Sequence, residues 1–257
     1  MLRIGCVKYL NARPLIHGWR GAVDFDHPAA LCRKLERGDL DVALVSSLEF
    51  LRRPKYRIVD GISIASRGEV YSVIVAHRDE LPDVQQIELD PASETSVALL
   101  RCLLAQRGLK PRFVRKAEVH SVRPAGVQRA DARLLIGDQA IRFRHEYQDY
   151  RFWDLGEEWN RIAQLPFVFA LWLIRPEVGD AREIADILRE LRDRNLQNVN
   201  DLVSSQTQVS PEFCRKYYRA YLFFQFGERE KAGLREFHCR CLLNKIDVAA
   251  KLPLSLV

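Results

Sequence analysis

The chain has no stretch of 18 or more uncharged apolar residues, which excludes a membrane-spanning helix. Gly-x-Gly-x-x-Gly and Gly-x-x-x-x-Gly-Lys-Ser/Thr are both missing, so neither a dinucleotide fold nor a P-loop is supported. No Gly-x-Ser-x-Gly elbow is present to carry a serine nucleophile. His17, His27, His77, His120, His145 and His238 are dispersed, and none has the partner spacing of a metal site. Six cysteines are scattered through apolar patterns, where a free thiol packs as a small hydrophobe, so no disulfide framework is expected. His238-Cys239-Arg240-Cys241 contains soft ligands but lacks the second ligand pair of a closed zinc site. The opening Met-Leu-Arg-Ile-Gly-Cys leads straight into a strand pattern without the zones of a signal peptide, and cytoplasm is the expected compartment. Basic residues are scattered, with no basic block interleaved with aromatics, which argues against nucleic acid.

What is present is a chain of 257 residues, 47% hydrophobic and 29% charged, long enough for one large domain or two lobes. Lys and Arg together number 40 against 34 Asp and Glu, a net charge of +6. Such an excess of guanidinium serves anionic small molecules as readily as phosphate backbones. The first third alternates strand and helix patterns: Arg3 to Tyr9, Val23 to Asp26 and Asp41 to Val45 as strands, and Pro28 to Arg37 as a helix stopped by Gly38. Tyr56 to Ala65 and Val70 to His77 read as further strands. The alternation then restarts with Ile87 to Leu89, a helix over Thr95 to Arg107, Arg112 to Val114 and Arg133 to Ile136. Two α/β units in series predict two lobes. Leu165 to Ile174, LPFVFALWLI, reads as a fully buried strand. Beyond it only helices are predicted, over Glu183 to Val203, Pro211 to Phe226 and Leu234 to Ile246, returning to cover the first lobe. The expected lobes are 1–75 with 172–257, and 76–171.

In open α/β sheets, ligands sit beyond the carboxyl ends of strands. Four polar clusters fall at such places: Tyr9 and Asn11; Ser46 and Ser47; Ser93, Thr95 and Ser96; and Gly137 with Asp138. Each also has an ordinary structural use. Ser47 reads as a helix N-cap and Asp90-Pro91-Ala92-Ser93 as a cap with proline in the first turn. Asn11 and Gly137-Asp138 read as turns. Taken together, the clusters describe a pocket rich in hydroxyl and amide donors and poor in bases, suited to binding and orienting an anion.

The order and spacing of several segments carry a resemblance. They are Tyr9-Leu10-Asn11 with Pro14-Leu15, Asp41 to Ser47, Ser66 to Val73, Pro91 to Ser96, Leu135 to Asp138, Asp154-Leu155-Gly156 with Glu158-Trp159, and Leu165 to Ala170. Together they resemble the chorismate dehydratase family of the futalosine route to menaquinone, in order from residue 1 to about 175. The resemblance implies an α/β, two-lobed, type 2 periplasmic-binding-protein-like fold with a ligand cleft between the lobes, adapted as a cytoplasmic enzyme without a cofactor. It implies the loss of water from chorismate to give 3-[(1-carboxyvinyl)oxy]benzoate. It also implies Asn11 and Ser72 as catalytic residues, Ser46, Ser47, Ser93, Thr95 and Ser96 as substrate-binding, and Gly137 and Asp138 at the pocket wall. Asp138 and Glu158 rival the substrate's own enolpyruvyl carboxylate as the base. Lys8 departs from the small polar residue usual in the family, and Arg13 occupies a variable position; a long ammonium chain such as Lys8 is expected to face solvent. A non-catalytic cytoplasmic sensor for a small carboxylate is the alternative from another class. Tyr217, Tyr218, Tyr221, Phe223 and Phe224 fit either core packing or an interface, leaving monomer and homodimer both open.

Overall fold

Ten strands and their covering helices build two sheets in a computed structural model that describes residues 2–89, 94–115, 131–204, 206 and 208–257. The strands are β1 (Ile4–Cys6), β2 (Val23–Phe25), β3 (Val42–Ser46), β4 (Arg57–Ser66), β5 (Val73–His77), β6 (Gln86–Leu89), β7 (Arg112–Arg115), β8 (Ala132–Ile136), β9 (Arg151–Asp154) and β10 (Phe167–Ile174). The first sheet runs β2-β1-β3-β10-β4 and the second β7-β6-β8-β5-β9. In each, parallel strands are extended by antiparallel ones: β10 runs against β3 and β4, and β5 against β8 and β9. Among the described residues no helix is long and apolar enough to cross a membrane.

The helices are α1 (Arg13–Ile16), α2 (Pro28–Arg37), α3 (Ser47–Arg52), α4 (Glu94–Gln106), α5 (Gly137–Glu146), α6 (Leu155–Ala163), α7 (Ala181–Gln197), α8 (Val199–Ser204), α9 (Pro211–Lys216) and α10 (Glu228–Leu243). Helix α2 forms because Leu31 and Leu35, one turn apart, bury one stripe while proline takes the first turn. The run in β10 is apolar without interruption because its neighbours are strands on both sides and helices α3 and α10 pack on it, leaving no wet face to encode. Helix α7 packs on α1 and β4, so the C-terminal helices do return to the first sheet.

Three expectations are corrected. The lobe limits at 75/76 and 171/172 would cut β5 and β10, yet β5 pairs wholly within the second sheet and β10 wholly within the first. The chain therefore changes sheet between Ser66 and Val73 and again between Asp154 and Phe167. Strand β9 was not predicted: four residues at a sheet edge, RFWD, carry too little alternation to register. The helix predicted over Pro211 to Phe226 ends in a π-helical turn at Tyr217–Tyr221, after which Phe223 exchanges backbone hydrogen bonds of 2.8 and 2.9 Å with Ala65. Pairing with the edge of β4 outweighs the helical spacing of the aromatics.

Candidate functional site

The carboxyl ends of β1 and β3 face the N-termini of α4 and α5 across a cleft. Its polar lining comes from Tyr9, Asn11, Ser46, Ser72, Glu94, Thr95 and Ser96, and its apolar walls from Val7, Leu44, Ile64, Phe169 and Leu222 among others. Groups from both sheets meet there, as the sequence predicts.

Three contacts tie the lobes across this cleft. Thr95 Oγ1, on α4, is hydrogen-bonded to Ser46 Oγ at the end of β3 and accepts the Leu48 N–H at 3.1 Å. Asp138, on α5, accepts the Leu10 N–H at 2.8 Å. The Tyr9 ring lies against Gly137, where a Cβ would stand 3.2 Å from ring carbons and crowd them, and the backbone at φ +56° favours glycine. A Gly137 N–H to Ser72 carbonyl bond of 2.8 Å then joins α5 to the start of β5.

Not every predicted residue faces the ligand space. Ser47 is buried with its hydroxyl donated to the Val168 carbonyl at 2.7 Å, and it is outside the lining. Asp138 spends its carboxylate on Leu10 and is likewise outside the lining; burial pushes its carboxyl above the usual range. Ser93, and the cap read over Asp90-Pro91-Ala92-Ser93, lie outside the described residues. Lys8 is exposed, with its ammonium 5.7 Å from the centre of the Phe25 ring. Glu158 is remote from the cleft and accepts paired bonds from Arg107 at 2.9 Å and from Arg161 at 2.7 and 3.1 Å. Burial alone would raise its carboxyl, but the hydrogen bonds from Arg161 and Arg107 outweigh it and hold the group at about 2. A depressed folded-state value contributes stability above the unfolded value that is lost as pH falls toward 2. Glu158→Gln is therefore expected to melt lower at pH 7, on the order of 3 °C, with the gap to wild type closing in scans toward pH 2.

The asparagine carries the cleft's most telling atom. Asn11 Oδ1 is buried without a hydrogen-bond partner among the described residues. A buried acceptor left unpaired costs roughly 1–3 kcal/mol, a cost that a donor on a ligand removes. Asn11 is held in a 3-10 turn, Leu10–Ala12, whose Leu10 N–H goes to Asp138 and whose Leu10 carbonyl accepts the Tyr218 hydroxyl at 3.0 Å.

Sequence reasoning missed the frame around Ser72. Tyr71 has φ +66°, a sparsely populated conformation for a bulky residue, and the Ser72 N–H turns back to the Val70 carbonyl at 2.8 Å. The turn is held by Asp154, which accepts the N–H groups of Val70 at 3.0 Å and Tyr71 at 2.7 Å while capping α6 through Gly156 and Glu157, both at 3.0 Å. Gly156 is required there: a Cβ would stand 2.6 Å from Ser66 Oγ and 2.7 Å from the Gly68 carbonyl. From the other side, the Arg144 guanidinium stacks 4.0 Å over the Tyr71 ring and donates to its carbonyl at 3.3 Å. The only advance signal was the Asp154-Leu155-Gly156 motif, whose purpose needs the turn at residues 70–72 beside it. Among the described residues, no group of three or more His, Cys, Asp or Glu is arranged to hold a metal ion.

Comparison with known proteins adds three findings. Residues 2–242 match a protein-family model described as menaquinone biosynthesis. A chorismate dehydratase from Thermus thermophilus is 30% identical over 258 residues, covering 91% of this chain and 93% of that protein. Among solved structures, protein AF1704 from Archaeoglobus fulgidus superposes with a TM-score of 0.73 at 16% identity, covering 95% of this chain and 98% of that one. The periplasmic aliphatic sulphonate binding protein SsuA from Escherichia coli does so at 0.65 and 12%, covering 95% and 87%. At these identities the structural likeness speaks to fold alone, and that fold is the two-lobed one of periplasmic binding proteins.

Proposed function

The chain belongs to the menaquinone biosynthesis family, and from that premise we propose that it is a hydro-lyase that removes water from chorismate to give 3-[(1-carboxyvinyl)oxy]benzoate. The observation that carries the chemistry is a donor-rich cleft with a buried amide oxygen on Asn11 that has no partner among the described residues. Chorismate has two carboxylates, which take up hydroxyl and N–H donors, and a single ring hydroxyl, the one group able to donate to Asn11 Oδ1. The other end of the same amide has protons to offer as that hydroxyl departs.

The reaction removes the proton from the ring carbon bearing the enolpyruvyl ether and the hydroxide from its neighbour, and the ring becomes aromatic. Aromatisation favours the products; the barrier lies in the carbon-bound proton. Charge released onto the conjugated ring carboxylate is stabilised by donors already in place, which acts more on the transition state than on the ground state. In this reading the proton goes to the substrate's own enolpyruvyl carboxylate, held over the ring by the closed cleft. Supporting it, Glu158 is tied to two arginines away from the cleft, Asp138 is tied to Leu10, and Glu94, which does line the cleft, is paired with Arg52.

Incubation of the purified protein with chorismate, followed by chromatography for the aromatic ether, tests the activity; binding without conversion would instead indicate a sensor. Asp138→Asn keeps an oxygen for the Leu10 N–H and removes the ionisable group. Its kcat is expected to stay within about threefold of wild type, whereas a general base would cost ~10²-fold or more.

A further inference from the structure

The π-helical turn Tyr217–Tyr221 places two adjacent buried tyrosines on the two segments that carry the site. Tyr218 reaches the Leu10 carbonyl, and Tyr217 donates its hydroxyl to Ser72 Oγ at 2.6 Å. Insertions of this kind concentrate at functional sites because the extra residue re-aims its neighbours. The bond's direction follows from burial. Tyr217 is fully buried, and Ser72 is the only partner of its hydroxyl among the described residues. A phenol proton in that position has nowhere else to go, so tyrosine donates and serine accepts. Burial also pushes the Tyr217 phenol up, keeping it a neutral donor. The Ser72 backbone is already committed, its N–H to Val70 and its carbonyl to Gly137. Among the described residues, what remains uncommitted on Ser72, which lines the cleft, is its hydroxyl proton and one lone pair.

We propose that Tyr217 is a positioning residue: by filling one lone pair of Ser72 Oγ it leaves the serine O–H as a donor directed at a carboxylate bound in the cleft. The ligand's identity rests on the proposed function; the geometry of the tyrosine does not. A carboxylate already carries its full charge in the ground state, so the larger part of the loss on freeing Ser72 falls on binding.

The test is a double-mutant cycle of Tyr217→Phe and Ser72→Ala, with kcat and KM measured on chorismate. Tyr217→Phe preserves the ring and is expected to raise KM roughly tenfold with kcat within about threefold, the effect of one charge-assisted hydrogen bond. In the Ser72→Ala background the same substitution should cost nothing further, because the tyrosine acts through the serine. An equal loss in both backgrounds, a loss confined to kcat, or a change below twofold overturns the inference. Should the wild type bind chorismate without converting it, the functional reading falls, and the same cycle read as calorimetric Kd decides the role of Tyr217. A crystal structure of Tyr217→Phe with Ser72 Oγ in an unchanged single rotamer would overturn it independently of either assay.

Discussion

Asn11→Ala is expected to lose kcat/KM by about 10²- to 10³-fold while melting no lower than wild type. The two halves of this outcome share one cause. Asn11 Oδ1 is buried with no partner among the described residues, so the side chain is a net burden until a ligand donates to it. Truncation to alanine removes that burden together with the only side-chain amide among the described residues that line the cleft. The surrounding turn should survive, since Leu10 is held by Asp138 below and Tyr218 above, and neither bond involves the Asn11 side chain. Steady-state kinetics on chorismate beside thermal melts of the free protein check both halves. A variant that keeps kcat/KM within threefold would remove Asn11 from the reaction, and one that melts far lower would make the residue structural.

Asp154→Ala should destabilise the protein by about 3 kcal/mol or more, read from urea midpoints at constant m. Four backbone N–H groups lose their acceptor at once: two first-turn donors of α6, worth ~1 kcal/mol as a cap, and the buried N–H groups of Val70 and Tyr71, each costing about 1–3 kcal/mol if left bare. Only a residue with two acceptor oxygens on a short stem serves four amides, which explains a carboxylate here despite its burial. That burial pushes the Asp154 carboxyl up to about 6, against the pull of the Val70, Glu157 and Tyr71 amides. A raised folded-state value means the native protein holds its proton more tightly than the unfolded chain. Stability from this group is therefore full below the unfolded value of 3.8 and declines as pH rises to about 6, by up to ~3 kcal/mol. Asp154→Asn, which does not titrate, should lack this decline. An Ala variant within 1 kcal/mol of wild type would contradict the role assigned to Asp154, and a wild-type pH profile flat between 4 and 7 would contradict the raised value of its carboxyl. Activity should fall with stability in the Ala variant, because Tyr71 at φ +66° is released and Ser72 follows it.

The parts of the fold that were legible share a property: their own hydrophobic pattern reports their surroundings. Residues 42–45 and Phe167–Ile174 lie in buried strands flanked by strands and covered by helices, so their sequences are apolar throughout, and α2 shows a clean stripe because one face is wet. The parts that were not legible are set by partners distant in sequence. Strand β9 exists because β5 offers it an edge, and residues 222–226 leave the helix because β4 does the same. The lobe limits were misplaced because a strand's sheet membership depends on pairing, which leaves no mark on its own hydrophobicity.

The site divides along the same line. Polar residues at strand ends were visible as a class, since strand-to-helix turns in an α/β chain must expose hydrogen-bonding groups. Which of them point at a ligand was not. Ser46 and Ser47 are adjacent and chemically identical, yet the first meets Thr95 across the cleft while the second turns to Val168 inside its own lobe. Tyr217 lies 145 residues from Ser72 and reaches it only because a π-helical turn rotates it there. Composition and periodicity dictated the layers, the α/β class and the chemistry at the strand ends, because hydrophobic burial is nearly additive along the chain. Direction and partnership waited on the tertiary structure, because hydrogen bonds depend on angle and distance between segments that the order of residues alone does not bring together.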